Sequence, residues 1–253
     1  MHTASCWRAG AARGCMASPS RRARRAGRMR VVLNGVIGDL LPSALAVALS
    51  PIPVVAVVVV LGGRGARTAG PAFAAGWIAG MVTVSVAVVL LVGGATDPGG
   101  EDAGLVWWKV AVGVLFLAMA AKQWRKRPRR GEQQPEPDWM ATLDQASAGR
   151  AAVLGVGLSA ANPKNLALTL TAAASIAEAG LDTAGTTLAV AVFVVVGSLT
   201  VAGSVAFYLV AGARAARPLA AVKQFMAENN AVIMMIVLLL LGAKLLGDGL
   251  AGL

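Results

Sequence analysis

The first long apolar stretch, residues 41–63, reads LPSALAVALSPIPVVAVVVVLGG and has two prolines near its centre, Pro51 and Pro53. Its length suits a helix that crosses a hydrocarbon core of about 30 Å. Proline lacks the backbone N–H and clashes with the preceding turn, so the helix should kink or break there. A second stretch, residues 151–175, reads AAVLGVGLSAANPKNLALTLTAAAS and has Pro163 near its centre. The sequence therefore predicts two interrupted membrane helices.

Six apolar runs in total are long enough to span a membrane as helices. The composition agrees, because 57% of the residues are apolar before glycine is counted and only 14% are charged. Soluble proteins are about 45–50% apolar with glycine included and about 25% charged, so a soluble globular protein is excluded. The predicted fold class is an all-α, polytopic membrane protein with six transmembrane helices. The runs cover residues 36–61, 69–94, 105–122, 151–177, 184–212 and 230–247.

The two interrupted helices are the first and fourth spans, which hold equivalent positions in two halves of three spans. Three is an odd number, so the second half is expected to be inverted relative to the first. Inverted repeats with broken helices are typical of secondary transporters, whose substrate site lies where the breaks meet. The predicted organisation is a basic tail (1–30), a first repeat (31–122), a polar linker (123–150) and a second repeat (151–253).

Loop charges predict the orientation in the membrane, since cytoplasmic loops carry an excess of lysine and arginine. Loops 62–68, 123–150 and 213–229 are basic, whereas the charged residues of loops 95–104 and 178–183 are all acidic. The three basic loops share one side of a six-helix chain, so we expect that side to be cytoplasmic. The protein is then a multi-pass protein of the cytoplasmic membrane with both termini outside.

The arginine-rich tail conflicts with this orientation, because arginines before a first span should stay inside. It could be a signal-peptide n-region, a cytoplasmic anchor, or sequence upstream of the native start. We favour a start near Met29. Residues 1–28 hold seven arginines and no acid, so the formal charge falls from +11 to +4, with 16 bases against 12 acids.

The predicted substrate site consists of the residues around the two breaks, where freed carbonyls and half-helix N-termini can bind a polar or anionic group. A kink that only aids packing is the alternative. An intramembrane charge such as Lys164 is costly and points to function. It either binds an anionic headgroup or carboxylate, or pairs with a carbonyl in the break. The predicted set is Ser50, Pro51, Pro53, Asn162, Pro163, Lys164 and Asn165.

Asp39 lies near the outer end of the first span, about three turns before Pro51. It is interpreted as an interfacial acid or helix cap, with a proton-coupling carboxylate as the alternative. No direct pair between Asp39 and Lys164 is expected, because their depths differ by about 15 Å at 1.5 Å per residue. Two further expectations are that Gly76 and Gly80 allow close helix packing and that Lys244 snorkels to the interface.

The apolar body of the chain lacks the residues that several classes of function need. The cysteines, Cys6 and Cys15, and the histidine, His2, all lie in the tail, so no redox pair or His/Cys metal site is expected in the apolar body. No Ser/His/Asp set or carboxylate pair indicates an enzyme. We therefore expect no cofactor. The bases flank membrane spans, so no nucleic-acid partner is expected and the linker should contact anionic lipid.

The six-span layout, Ser50-Pro51-Ile52-Pro53 in the first span and Asn162-Pro163-Lys164 in the fourth resemble the LysE superfamily of exporters. Amino-acid exporters of that superfamily typically carry PGP where this chain has SPIP. The stretch ALSPIPVVAVVVVLGGRGARTAGPAFAAGWIAG (48–80) is more similar to the GAP family, also called Sap or sulfolipid-addressing proteins, and the resemblance covers about residues 36–248. It implies a role in moving lipids, such as glycolipids or peptidoglycolipids, across the cytoplasmic membrane.

Three functions therefore compete. The first is a transporter or accessory translocator for lipids or glycolipids. The second is a LysE-type exporter of amino acids or small metabolites by proton exchange. The third is a membrane scaffold for a lipid-export complex. Expected partners are membrane lipids, the lipid or small-molecule substrate, and either a second copy of the chain or a larger lipid exporter.

Overall fold

The structure is a computed structural model that describes residues 21–93, 103–125 and 146–251. Within these ranges the chain is helical and has no strand. The helices are α1 (Arg21–Ala48), α2 (Pro51–Gly62), α3 (Ala66–Gly93), α4 (Ala103–Arg125), α5 (Ala148–Val156), α6 (Pro163–Glu178), α7 (Thr183–Ala211), α8 (Ala216–Glu228) and α9 (Asn230–Ala251).

Both predicted breaks are present. The first predicted span is divided into α1 and α2, and the fourth into α5 and α6. A π-helical stretch, Gly157–Ala161, continues α5 up to the second break. α1 begins at Arg21, within the predicted basic tail and upstream of Met29.

Within the described ranges, four helical regions are long and apolar enough to cross a membrane, so the chain is a membrane protein. These regions are Val31–Ala48, Ala66–Leu91, Thr183–Glu228 and Asn230–Ala251. The shorter apolar helices Pro51–Gly62 and Ala148–Ala161 belong to the two broken spans. α4 coincides with the third predicted run and is not among the four.

The predicted loop 213–229 is wrong, since a 3-10 turn (Gly212–Ala215) and helix α8 occupy most of it. α8 packs against α2 and buries Leu219, whereas Arg217, two residues earlier, lies on the opposite side of the helix. Val222 and Phe225 are exposed. Apolar and polar residues on separate sides of a helix are typical of a segment at an interface. The predicted acidic loop 95–104 lies almost entirely outside the described residues, as does most of the linker 123–150.

α3 packs on α5 with backbone against backbone, and glycines make this approach feasible. A Cβ atom at Gly76 would overlap the Ala152 carbonyl, and one at Gly155 would overlap the Phe73 carbonyl. Gly80 lies likewise against Val156. From the Gly76 contact to the Gly80 contact, residue numbers increase along both helices, so α3 and α5 run parallel. The expected role of Gly76 and Gly80 in close packing is confirmed.

The other close pairs follow a related pattern. α7 packs on α1, where Gly197 lies against Val47, and α4 packs on α9. A Cβ at Gly113 would lie 3.1 Å from the Gly242 carbonyl oxygen, and a Cβ at Gly242 would lie 3.1 Å from the Gly113 carbonyl oxygen. Small residues thus set the helix–helix distances, as is usual where lipid rather than water surrounds the helices.

Candidate functional site

The two breaks have the same local geometry. Ser50 precedes Pro51 with φ −72° and ψ 114°, and Asn162 precedes Pro163 with φ −71° and ψ 116°. The residue before a proline is pushed out of the helical region, which explains both extended conformations. Each proline then occupies the first turn of the next helix, where its missing N–H costs nothing. One physical cause therefore produces both breaks.

Side chains from other helices satisfy carbonyls that the first break leaves free. The Lys164 Nζ atom donates to the Ala46 carbonyl at 3.0 Å, and the Thr200 hydroxyl donates to the Ala48 carbonyl at 2.6 Å. The Ser50 N–H turns back to the Val47 carbonyl at 3.1 Å. The last turn of α1 is thus tied to α6 and α7 as well as to itself.

Lys164 links the two breaks directly, because it belongs to the second break and bonds a carbonyl of the first. Its exposed fraction is only 3%. Within the described part of the chain, no carboxylate contacts its ammonium, and one of its three N–H donors is used by Ala46. A buried cation without a counter-ion is costly. The arrangement suits a site that accepts an anionic or strongly polar group.

Two neighbouring polar side chains of α6 are also incompletely satisfied. Asn165 donates its amide to the Leu158 carbonyl at 3.1 Å, but its Oδ1 atom has no hydrogen-bond partner among the described residues. The buried Thr169 hydroxyl, one turn later on the same face, has none either. Buried polar atoms without partners are rare in native proteins and mark sites for water or ligand. Asn162 instead caps α6, since its Oδ1 accepts from the Lys164 N–H at 3.1 Å.

The remaining predicted residues have different surroundings. The Ser50 side chain is buried and does not cap α2, while Pro51 and Pro53 are buried in the first turn of that helix. Asp39 lies 3.6 Å from the Lys244 Nζ atom of α9, and Lys164 bonds Ala46 instead. Asp39 and Lys244 are therefore partners across two helices, which the sequence did not indicate.

Asp39 and Lys244 line a cleft of about 350 Å³ between α1, α6 and α9, called the α1/α6/α9 cleft below. Its other polar lining residues are Ser43, Thr171, Ser175, Glu178 and Asp248. Sequence inspection missed this cleft and also missed Thr169 and Thr200. Thr169 could have been noted, because it follows Asn165 by four residues on the same helix face.

We predict that Thr200→Val lowers the free energy of unfolding by about 1 kcal/mol, since side-chain hydrogen bonds between membrane helices contribute about 0.6–1.7 kcal/mol. Unfolding in detergent with increasing SDS measures this difference. The matched control is Thr187→Val, because the Thr187 hydroxyl is exposed and donates to Thr183 of its own helix. Equal stability losses in both variants would contradict a tie between α7 and the first break.

The family model for Sap, sulfolipid-1-addressing protein, matches residues 40–251. The match begins within α1 and includes both breaks and all described residues from residue 40 onward. No curated protein and no solved structure matches the chain. The family description names a lipid, and the four long apolar helices agree with a lipid-related membrane protein. By this match over most of its length, the chain belongs to the family of Sap, the sulfolipid-1-addressing protein.

Proposed function

We propose that the protein translocates a lipid across the cytoplasmic membrane and that the two breaks bind the polar headgroup. The observation that carries this proposal is the Lys164–Ala46 hydrogen bond, in which a buried ammonium with no counter-ion among the described residues joins the two breaks. The family description supports a lipid as the molecule handled and a role in addressing rather than catalysis.

The chemistry of the proposed site is binding without covalent change. An anionic headgroup oxygen competes with the Ala46 carbonyl for the Lys164 ammonium, because a full negative charge attracts the ammonium more strongly than a carbonyl dipole does. The Asn165 Oδ1 atom and the Thr169 hydroxyl, which have no hydrogen-bond partner within the described ranges, then supply an acceptor and a hydroxyl. The acyl chains of the lipid remain against the apolar outer faces of the helices.

Two inverted repeats are part of the proposal, with the halves 31–122 and 151–253. Their support is the reciprocity of helix packing: α3 of the first half packs on α5 and α6, and α7 of the second half packs on α1 and α2. α4 packs on its counterpart α9. A twofold axis in the membrane plane would produce these pairs. Headgroup transfer then requires the two halves to rock about the breaks.

The proposed orientation places the basic segments 62–68, 123–150 and 213–229 in the cytoplasm. The start of α1, the end of α6 and the end of α9 then lie on the outer side. Under this orientation the α1/α6/α9 cleft opens outward. Helix α8 lies along the cytoplasmic interface, where Arg217 can meet anionic lipid.

A deletion strain is expected to lose a lipid from its surface and to retain it inside, with the intact gene on a plasmid restoring export. Lipidomics of surface and cell-associated fractions measures both. An unchanged lipid profile together with an intracellular amino acid that accumulates would instead support a small-metabolite exporter. A scaffold would be indicated if Lys164 and Pro163 variants exported normally while deletions in the linker 123–150 did not.

A further inference from the structure

The α1/α6/α9 cleft contains a charged cluster that the proposed headgroup site does not use. Lys244 lies between Asp248 at 2.8 Å and Asp39 at 3.6 Å. Both carboxylates are accessible, with side-chain exposed fractions of 67% for Asp39 and 47% for Asp248. Glu178 also lines the cleft, so its three carboxylates and one ammonium have a formal charge of −2. Asp39 and Asp248 also keep free lone pairs, so this end of the cleft favours a ligand that donates hydrogen bonds and carries positive charge.

Deeper in the cleft, a buried hydroxyl lacks a partner. Ser43 has an exposed fraction of 7%, lines the cleft and makes no hydrogen bond within the described part of the chain. The Thr171 hydroxyl donates to Ala167 of its own helix at 2.9 Å and so offers only its acceptor lone pairs to the cleft. A buried serine without a partner is expected to bond water or ligand.

The cleft leads toward the two breaks. Ser43 precedes Ala46 by three residues, which is about one helical turn of 5.4 Å. The floor of the cleft therefore lies about one turn from the Lys164–Ala46 hydrogen bond. The cleft therefore has a negative cluster at one end, and the buried Lys164 ammonium lies about one turn beyond its floor. This order of charges is complementary to a dipolar molecule.

We propose that the α1/α6/α9 cleft binds a zwitterionic lipid headgroup, with its ammonium at Asp39 and Asp248 and its anionic group directed toward Lys164. The cleft volume of about 350 Å³ lies at the small end of the 300–1,000 Å³ that small-molecule sites occupy. The proposal rests on the proposed function, because it identifies the headgroup class that would move between cleft and breaks. A neutral polyol could bond the same oxygens but would leave both charged ends unmatched.

Thiol protection in the full-length chain tests this binding. The background carries Cys6→Ser and Cys15→Ser, and Ser175→Cys places a reporter thiol on the half-buried cleft wall. Labelling by N-ethylmaleimide is followed in nanodiscs of phosphatidylglycerol, alone or with an equal fraction of phosphatidylethanolamine or monoglucosyl diacylglycerol. Phosphatidylethanolamine is expected to slow labelling about tenfold, the factor of one charge-assisted hydrogen bond. The glucosyl lipid is expected to leave the rate unchanged.

The control is Thr187→Cys, an exposed α7 position that does not line the cleft and should label equally in all three membranes. Asp39→Asn with Asp248→Asn should remove the protection. Equal protection by the glucosyl lipid, or none by phosphatidylethanolamine, would overturn the zwitterion proposal. Because this measurement needs no transport, protection without lipid translocation would contradict the proposed function and leave the cleft site standing. Lipid translocation without protection would contradict the cleft site and leave the proposed function standing.

Discussion

Lys164→Met is expected to reduce lipid export about 10- to 100-fold while the protein stays folded. The loss corresponds to the roughly 1.5–3 kcal/mol that a hydrogen bond to a charged group contributes. Stability should change little, because replacing a buried charge by an apolar side chain of similar length is often neutral or stabilising. The stability gained by removing the buried charge offsets the cost at the Ala46 carbonyl, which loses its hydrogen-bond donor. Export is measured by surface lipid analysis of the deletion strain carrying each variant at matched protein level.

The matched control for Lys164→Met is Lys122→Met. Lys122 is exposed in the last turn of α4, far along the chain from both breaks, and its replacement should leave export unchanged. Normal export by Lys164→Met would show that the buried ammonium serves packing alone. Lost export with lost protein in the membrane would place its role in folding, which would equally contradict a headgroup site.

Gly155→Ala is expected to lower the free energy of unfolding by about 3 kcal/mol or more. Its added methyl group would overlap the Phe73 carbonyl and lie 2.7 Å from the Trp77 backbone nitrogen. Overpacking of a close-packed interior costs about 1–3 kcal/mol where side chains can shift, and here the neighbours are backbone atoms that cannot. α3 and α5 must therefore separate, which disturbs the second break at the end of α5. Unfolding by SDS in detergent measures the loss.

Gly149→Ala provides the control in the same helix, because a Cβ at Gly149 has no heavy atom within 4 Å. Alanine has the higher helix propensity by about 1 kcal/mol, so this variant should be unchanged or slightly more stable. If both variants were equally stable, α3 and α5 would not approach as closely as the structure has them.

The sequence indicates the two breaks through Pro51 and Pro163, which lack a backbone N–H and restrict the residue before them. Proline alone is not sufficient, because α1 and α3 each contain a proline and continue as one helix. The contact between the two breaks could not be predicted without the fold, since Lys164 and Ala46 are 118 residues apart in the sequence. Sequence inspection left two alternatives for Lys164, an anionic ligand or a carbonyl in the break. In the structure Lys164 bonds the Ala46 carbonyl. Binding of an anionic ligand is our proposal.

Other features escaped prediction for similar reasons. The Asp39–Lys244 pair depends on the contact between α1 and α9, and no local sequence pattern predicts that contact. Thr200 is one of several hydroxyl side chains in α7, and its partner is a carbonyl that the first break leaves free. The loop charges do not reveal helix α8, although Leu219 and the nearby apolar residues have helical spacing.

The most direct test of lipid translocation at the breaks is a reconstitution of the purified chain into vesicles with an acyl-chain-labelled fluorescent phospholipid. Dithionite quenches the probe in the outer leaflet, so the slow phase of quenching reports transfer between leaflets. We predict that wild-type protein accelerates this phase and that Lys164→Met returns it to the rate of protein-free vesicles. A wild-type rate equal to that of protein-free vesicles, or an unchanged rate in Lys164→Met, would contradict the account.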